Sequence, residues 1–138
     1  MKEKLGIIYD FGKDVVVKAR DMTIEEDFGI VNGTSKPPSD IKLHGELSNF
    51  SDEQKNTVKK LIINSIDGAI NNFLWMMEQN NDKYAFVARC EDGTEFDIEQ
   101  ESDGLCMGQY VFIDEFSDYN NILKILETGE IEKKSKSE

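Results

Sequence analysis

Residues 51–79 read SDEQKNTVKKLIINSIDGAINNFLWMMEQ, and this stretch decides most of the fold. Ser51 stands three residues ahead of Gln54 in a capping-box pattern, and Asp52 and Glu53 place negative charge in the first turn, where the helix dipole favours it. Val58, Leu61, Ile62, Ser65, Ile66, Ala69, Ile70, Phe73, Leu74 and Met77 then recur at helical spacing along one face. At 1.5 Å per residue a helix from Asp52 to Gln79 runs about 42 Å, against a radius of gyration of roughly 14 Å for a domain of this size. It crosses the whole molecule. Gly68 is the expected place for a bend, and Asn80, Asn81 and Asp82 end the element. Trp75 falls off the main stripe, at the edge of the core or on a contact surface.

Outward toward the C-terminus the period changes from helical to alternating. A two-residue turn at Asp92 and Gly93 would set Phe96 and Ile98 beside Arg89 and Glu91, which mixes apolar and charged faces. A three-residue loop of Glu91, Asp92 and Gly93, with the glycine left-handed, pairs Cys90 with Thr94, Ala88 with Phe96 and Phe86 with Ile98. The apolar faces then coincide and Arg89 falls opposite Glu95. The pattern predicts strands over Tyr84–Cys90 and Thr94–Gln100. Gln109–Phe116 is apolar enough for a short strand or helix, and Ser117 is the expected cap of a final helix through Glu127, stopped at Gly129.

Toward the N-terminus, Ile8, Phe11, Val15, Ala19 and Met22 keep helical spacing while the Val15–Val17 run is β-branched, so Leu5–Met22 is read as helix against a competing strand signal. Residues 28–50 carry few apolar positions in any period and include Gly29, Gly33, Pro37 and Pro38, which reads as a long connection. The fold class that follows is α+β, with helices packed on one face of a small antiparallel sheet containing the hairpin. Residues 1–129 form a single domain in this reading, and residues 130–138, three acids and three bases around Ile131, form a disordered charged tail.

Sixteen basic residues against 28 acidic give the 138-residue chain a net charge of −12, a field that repels phosphate backbones and argues against nucleic acid. No segment reads as a secretory signal or a membrane span, and two cysteines with one histidine cannot furnish a four-ligand zinc site of cysteine and histidine, so the expectation is a cytoplasmic protein without cofactor. A Cys90–Cys106 disulfide stays an alternative to two core or loop thiols. His44 reads as a solvent-facing or hydrogen-bonded loop residue, and Cys106 as a poor nucleophile, because surrounding negative charge disfavours thiolate.

The charge has an address. Between Arg89 and Lys124 there is no lysine, arginine or histidine, while ten acids lie from Glu91 to Asp118. Glu95, Asp97, Glu99, Glu101 and Asp103 recur at every second position, which on an extended strand puts all five on one face. The wet side of a half-buried hairpin is the plain reading, yet a wet face has no need of a single sign. The sharper one is a surface for a basic protein partner, with no catalysis. Two alternatives remain open: a carboxylate-based hydrolase, and a weak divalent-cation site in which Glu99, Glu101, Asp103 and Gly104 resemble the start of a calcium loop. That loop's closing glutamate would fall at Tyr110.

Residues 67–78 (DGAINNFLWMME), the hairpin after them, residues 101–105 (ESDGL) and residues 115–119 (EFSDY) together resemble small, acidic bacterial proteins without assigned chemistry, some of the toxin-immunity type. The resemblance covers about the C-terminal half and carries no catalytic motif. It implies a non-catalytic protein that binds and neutralises a basic toxin, and it transfers no individual binding residue.

Overall fold

The computed structural model describes residues 2–102 and 104–134, with residues 105–107 by their backbone alone. The chain opens on helix α1 (Lys2–Asp14), which runs without a break through a π-helical segment (Val15–Asp21) into α2 (Met22–Asn32). Helices α3 (Pro38–Glu46) and α4 (Asp52–Gln79) follow, then strands β1 (Val87–Arg89) and β2 (Glu95–Asp97), the single turn α5 (Ile98–Glu101), α6 (Leu105–Phe116) and α7 (Ile122–Thr128). The architecture is α+β, with the two-stranded antiparallel sheet seated on helices.

The helix read over Leu5–Met22 is real, and its π segment has a geometric cause. Along the first 30 residues the buried positions include Ile8, Gly12, Val16, Arg20, Ile24 and Phe28, a strict spacing of four. An α-helix advances 100° per residue, so each step of four drifts about 40°, and Ile8 and Phe28 would end about 200° apart. The wider π turn takes up part of this drift, and all six are buried. The β-branched run at Val15–Val17 therefore marks a widened helix and not a strand. Gly12 lets α6 come close, since a Cβ there would stand 2.4 Å from the Phe112 ring.

Helix α4 has the expected bounds and its capping box is closed on both sides: Ser51 Oγ accepts from the Gln54 amide and Gln54 Oε1 accepts from the Ser51 amide. The buried line, however, is Ile63, Asp67, Leu74 and Met77, so the face is turned from the expected stripe and leaves Leu61 and Phe73 more than half exposed. Apolar composition alone misplaces the face because its centre is an aspartate.

Two apolar clusters fill the core. Ile8, Leu74, Cys90, Phe96 and Ile98 join the hairpin to α1 and α4, with Phe11, Phe86 and Ala88 against them. Ile24, Phe28, Ile63, Tyr119, Ile122 and Ile125 join α2, α4 and α7 at the other end. The hairpin has the expected register, with Ala88 opposite Phe96, Arg89 opposite Glu95, and the Cys90 amide donating to Thr94 O over 2.8 Å. Gly93 is left-handed at φ +86°, and Asp92 Oδ1 accepts from the Thr94 amide and hydroxyl to fix the turn. These hydrogen bonds from Thr94 hold the Asp92 carboxyl below the usual carboxylate range.

Four expectations are corrected. Residues 28–50 are not a long connection: α2 extends to Asn32, Gly33 ends it at φ +78°, and Pro38 starts α3 at the first helical position, where its missing N–H costs nothing. The strands are three residues each, because Asp97 caps a helical turn and stops β2. Ser117 ends α6 and does not cap α7; Asn121 does, accepting from the Lys124 amide. Residues 130–134 are not free of the domain: the Asn120 amide donates to Glu132 O and the Lys134 amide to Asp118 O, forming an antiparallel bridge at Tyr119 and Lys133. Residues 135–138 lie outside the described residues. Gln109–Phe116, open between strand and helix from sequence, is helix, and Gly129 ends α7 at φ +79° as expected.

Candidate functional site

Between the two apolar clusters lies a buried ionic layer. Arg20, on the π segment, is fully buried and forks onto Asp67 of α4, with Nε to Oδ1 at 2.5 Å and Nη2 to Oδ2 at 3.2 Å. Its Nη1 donates to Ser117 Oγ at 2.7 Å and to Asp21 Oδ1 at 3.3 Å. The Ser117 hydroxyl donates to Asp21 Oδ1 and accepts from the Tyr119 amide, while the Asp118 amide donates to Asp21 Oδ2. On the far side Gln109 donates to the Asp67 carbonyl and accepts from Asn71. Among the described residues no buried side-chain polar atom lacks a partner. A satisfied layer of this kind fixes geometry more than it adds stability. Here it fixes where Asp21 and the turn at Asp118 stand.

Those two acids form the inner wall of a surface groove of about 480 Å³. Val17, Met22 and Phe116 give it an apolar floor, and Glu25, Glu26 and Asp118 set carboxylates around it, with the buried Asp21 behind them. Glu25 and Glu26 are exposed on α2. Burial, then the charges of Glu26 and of Asp40 on α3, push the neighbouring Asp27 carboxyl above its ordinary range. Glu25 also forms one wall of a second recess of about 400 Å³, with Phe28, Tyr119, Ile131 and Lys133 around it. The Tyr119 hydroxyl donates to Glu25, and Lys133 Nζ sits 2.9 Å from the same carboxylate and 5.5 Å from the centre of the Tyr119 ring. Burial first, and Glu25 second, push the Tyr119 hydroxyl well above the usual tyrosine range.

The residues expected to form one acidic strand face are placed differently. Glu95 is on β2, paired with Arg89 at 3.1 Å. Asp97 caps α5, accepting from the Glu99 amide at 2.9 Å, and takes a further bond from Asn81. Glu99 and Glu101 lie on the helical turn, where residues two apart face different ways, and Glu101 pairs with Lys4 at 3.1 Å. Asp103 lies outside the described residues. The alternation breaks because Asp97 and Gln100 repeat the cap-x-x-Gln pattern that starts α4, a helix signal legible in the sequence. The calcium-loop likeness breaks at the same turn, and among the described residues no three histidines, cysteines or acids converge to hold a metal.

Sequence reasoning missed Arg20, Asp21, Glu25 and Glu26. A signal for the first existed: an arginine at the four-residue step between Val16 and Ile24, and an aspartate four beyond Ile63, are opposite charges inside two apolar stripes. His44, read as a solvent-facing or hydrogen-bonded loop residue, is hydrogen-bonded but on α3, its Nδ1 2.9 Å from Ile30 O. Cys90 is a buried free thiol. No helix among the described residues is long and apolar enough to cross a membrane. Comparison with protein-family models, curated proteins and solved structures finds no match to this chain.

Proposed function

We propose that the protein is a non-catalytic acidic module that binds a basic protein, and that its contact surface is the groove between α2 and the turn after α6. The observation that carries this reading is the pairing of an apolar floor, Val17, Met22 and Phe116, with the carboxylates of Glu25, Glu26 and Asp118, backed by the buried Asp21. That combination suits an arginine or lysine side chain, whose aliphatic stem packs on the floor while its charged head meets the rim. An immunity-type role, in which the basic partner is a toxin held inactive, is the finer form of the proposal and rests on the resemblance of the C-terminal half.

Charge at the groove acts chiefly on the rate of encounter. The test is association with a basic polypeptide followed across ionic strength, comparing Glu26→Lys with the paired reversal of Asp97 and Glu99. The groove reversal slows association at low salt, and the difference fades as salt screens it. A groove variant that associates as fast as the unaltered protein overturns the placement. An unaltered protein that shows no salt-dependent association overturns the function.

A further inference from the structure

The carboxylate that two recesses share is already occupied by this chain's own lysine. Lys133 reaches Glu25 from a segment held by the bridge to Tyr119, by the Glu132 amide on Asn120 Oδ1 at 2.9 Å, by Asn120 Nδ2 on Glu130 O at 3.1 Å, by the Glu130 amide on Thr128 Oγ1 at 3.3 Å, and by Lys134 Nζ on Asp114 O at 2.6 Å. Its apolar anchor is Ile131, half-buried against the second cluster. Lys133 of a nominally neutral segment is thus turned toward the acid-rich face through an ion pair that is exposed on both sides. We propose that the segment Glu130–Lys134 is a built-in competitor for the groove: Lys133 holds Glu25 as a partner's basic side chain would, and the partner binds by displacing it. This rests on the reading of the groove as a surface for a basic partner.

The same contact explains why the ammonium is favoured there. Glu25 first raises the Lys133 pKa, burial opposes it, and the charges of Asp118 and Asp21 add smaller increments in the upward direction. An exposed pair of this kind is strong enough to bias a surface and weak enough to be exchanged.

The experiment uses the full chain and a tetralysine amide as probe, with hydrogen exchange at the Asn120 and Lys134 amides as a second readout. Lys133→Ala is expected to bind the probe about two- to fivefold more tightly at low salt, the worth of one exposed ion pair. Exchange at both amides is expected to quicken. Lys133→Arg should behave as the unaltered chain. Lys83→Ala, the same loss of charge at the turn after α4, separates a general gain in negative field from release of the groove and is expected to bind unchanged. Equal probe affinity for Lys133→Ala and the unaltered chain overturns the competitor while leaving the groove. Unchanged exchange shows that Lys133 does not latch the segment and overturns it as well. Absence of probe binding by every variant overturns the partner reading, and the competitor with it.

Discussion

Two regions of the molecule are rich in carboxylates, and they differ in what those carboxylates already hold. At the hairpin and α5, Glu95 has Arg89, Glu101 has Lys4, Asp92 closes the turn and Asp97 caps the helix. At the groove, Asp21 is tied inward to Arg20 and Ser117, and Glu25 is bridged by Tyr119 and Lys133, so the acids are fixed from beneath while their outer edges line a recess. The density of charge along the chain points to the first region and the arrangement in space to the second. Counting charges locates a field; it does not locate a surface.

The sharpest way to break this contrast is to remove the frame under one region only. Arg20→Ala leaves Asp67 and Asp21 buried without their cation and is expected to cost about 3–5 kcal/mol of stability, measured by urea unfolding, or to abolish folding. A double replacement, Arg20→Met with Asp67→Leu, should recover part of that stability, because the Arg20–Asp67 pair is traded for apolar packing while Asp21 still lacks its cation, and should lower affinity for a basic probe through the loss of order at Asp21. Next in size is Ser117→Ala, which strips a donor from Asp21 and an acceptor from Arg20 and the Tyr119 amide, at an expected cost of about 1–3 kcal/mol by the same measurement.

At the hairpin the corresponding break is smaller. Gly93→Ala forces a side chain into the left-handed region and is expected to cost about 1–2 kcal/mol, with no change in binding of a basic probe. The smallest effect is on α2. Because burial and like charges raise the Asp27 pKa in the folded state, its ionised form is disfavoured there, and stability tied to this group falls as pH rises through the folded value. Asp27→Asn removes that penalty, so it is expected to raise stability near pH 7 by a few tenths of a kcal/mol, about what remains after solvent screening, and by nothing once pH drops below the ordinary carboxylate range. Thermal melts at pH 7 and pH 3 check it.

The contrast also marks what the sequence makes legible. The α4 capping box, the hairpin register and the glycine stop after α7 rest on local chemistry, and each is found as read. Helix α5 and the start of α3 were legible too, in Asp97–Gln100 and in Pro38, but the stronger signals of alternation and of paired prolines pointed elsewhere. The groove is of another kind. Arg20, Asp67 and Ser117 are 47 and 97 residues apart from their partners, and no local pattern says that the serine before Asp118 is buried beneath an arginine. The α4 face was misjudged for the same reason, since an aspartate is buried only when its distant partner is known.

The π segment carries a consequence for how this protein can change length. Its widened turns offset part of the drift of a four-residue spacing over the first 30 residues, so the helix carries about one residue more than an all-α path needs. Deleting a single residue between Val15 and Asp21 would therefore close the widened turn into ordinary α-helix, with Ile8 still facing the hairpin, Gly12 the Phe112 ring, and Ile24 and Phe28 their own cluster. The same deletion in the middle of α4 would turn one half of that helix by about 100° against the other. Length can change at the π segment where the other long helix would lose its alignment.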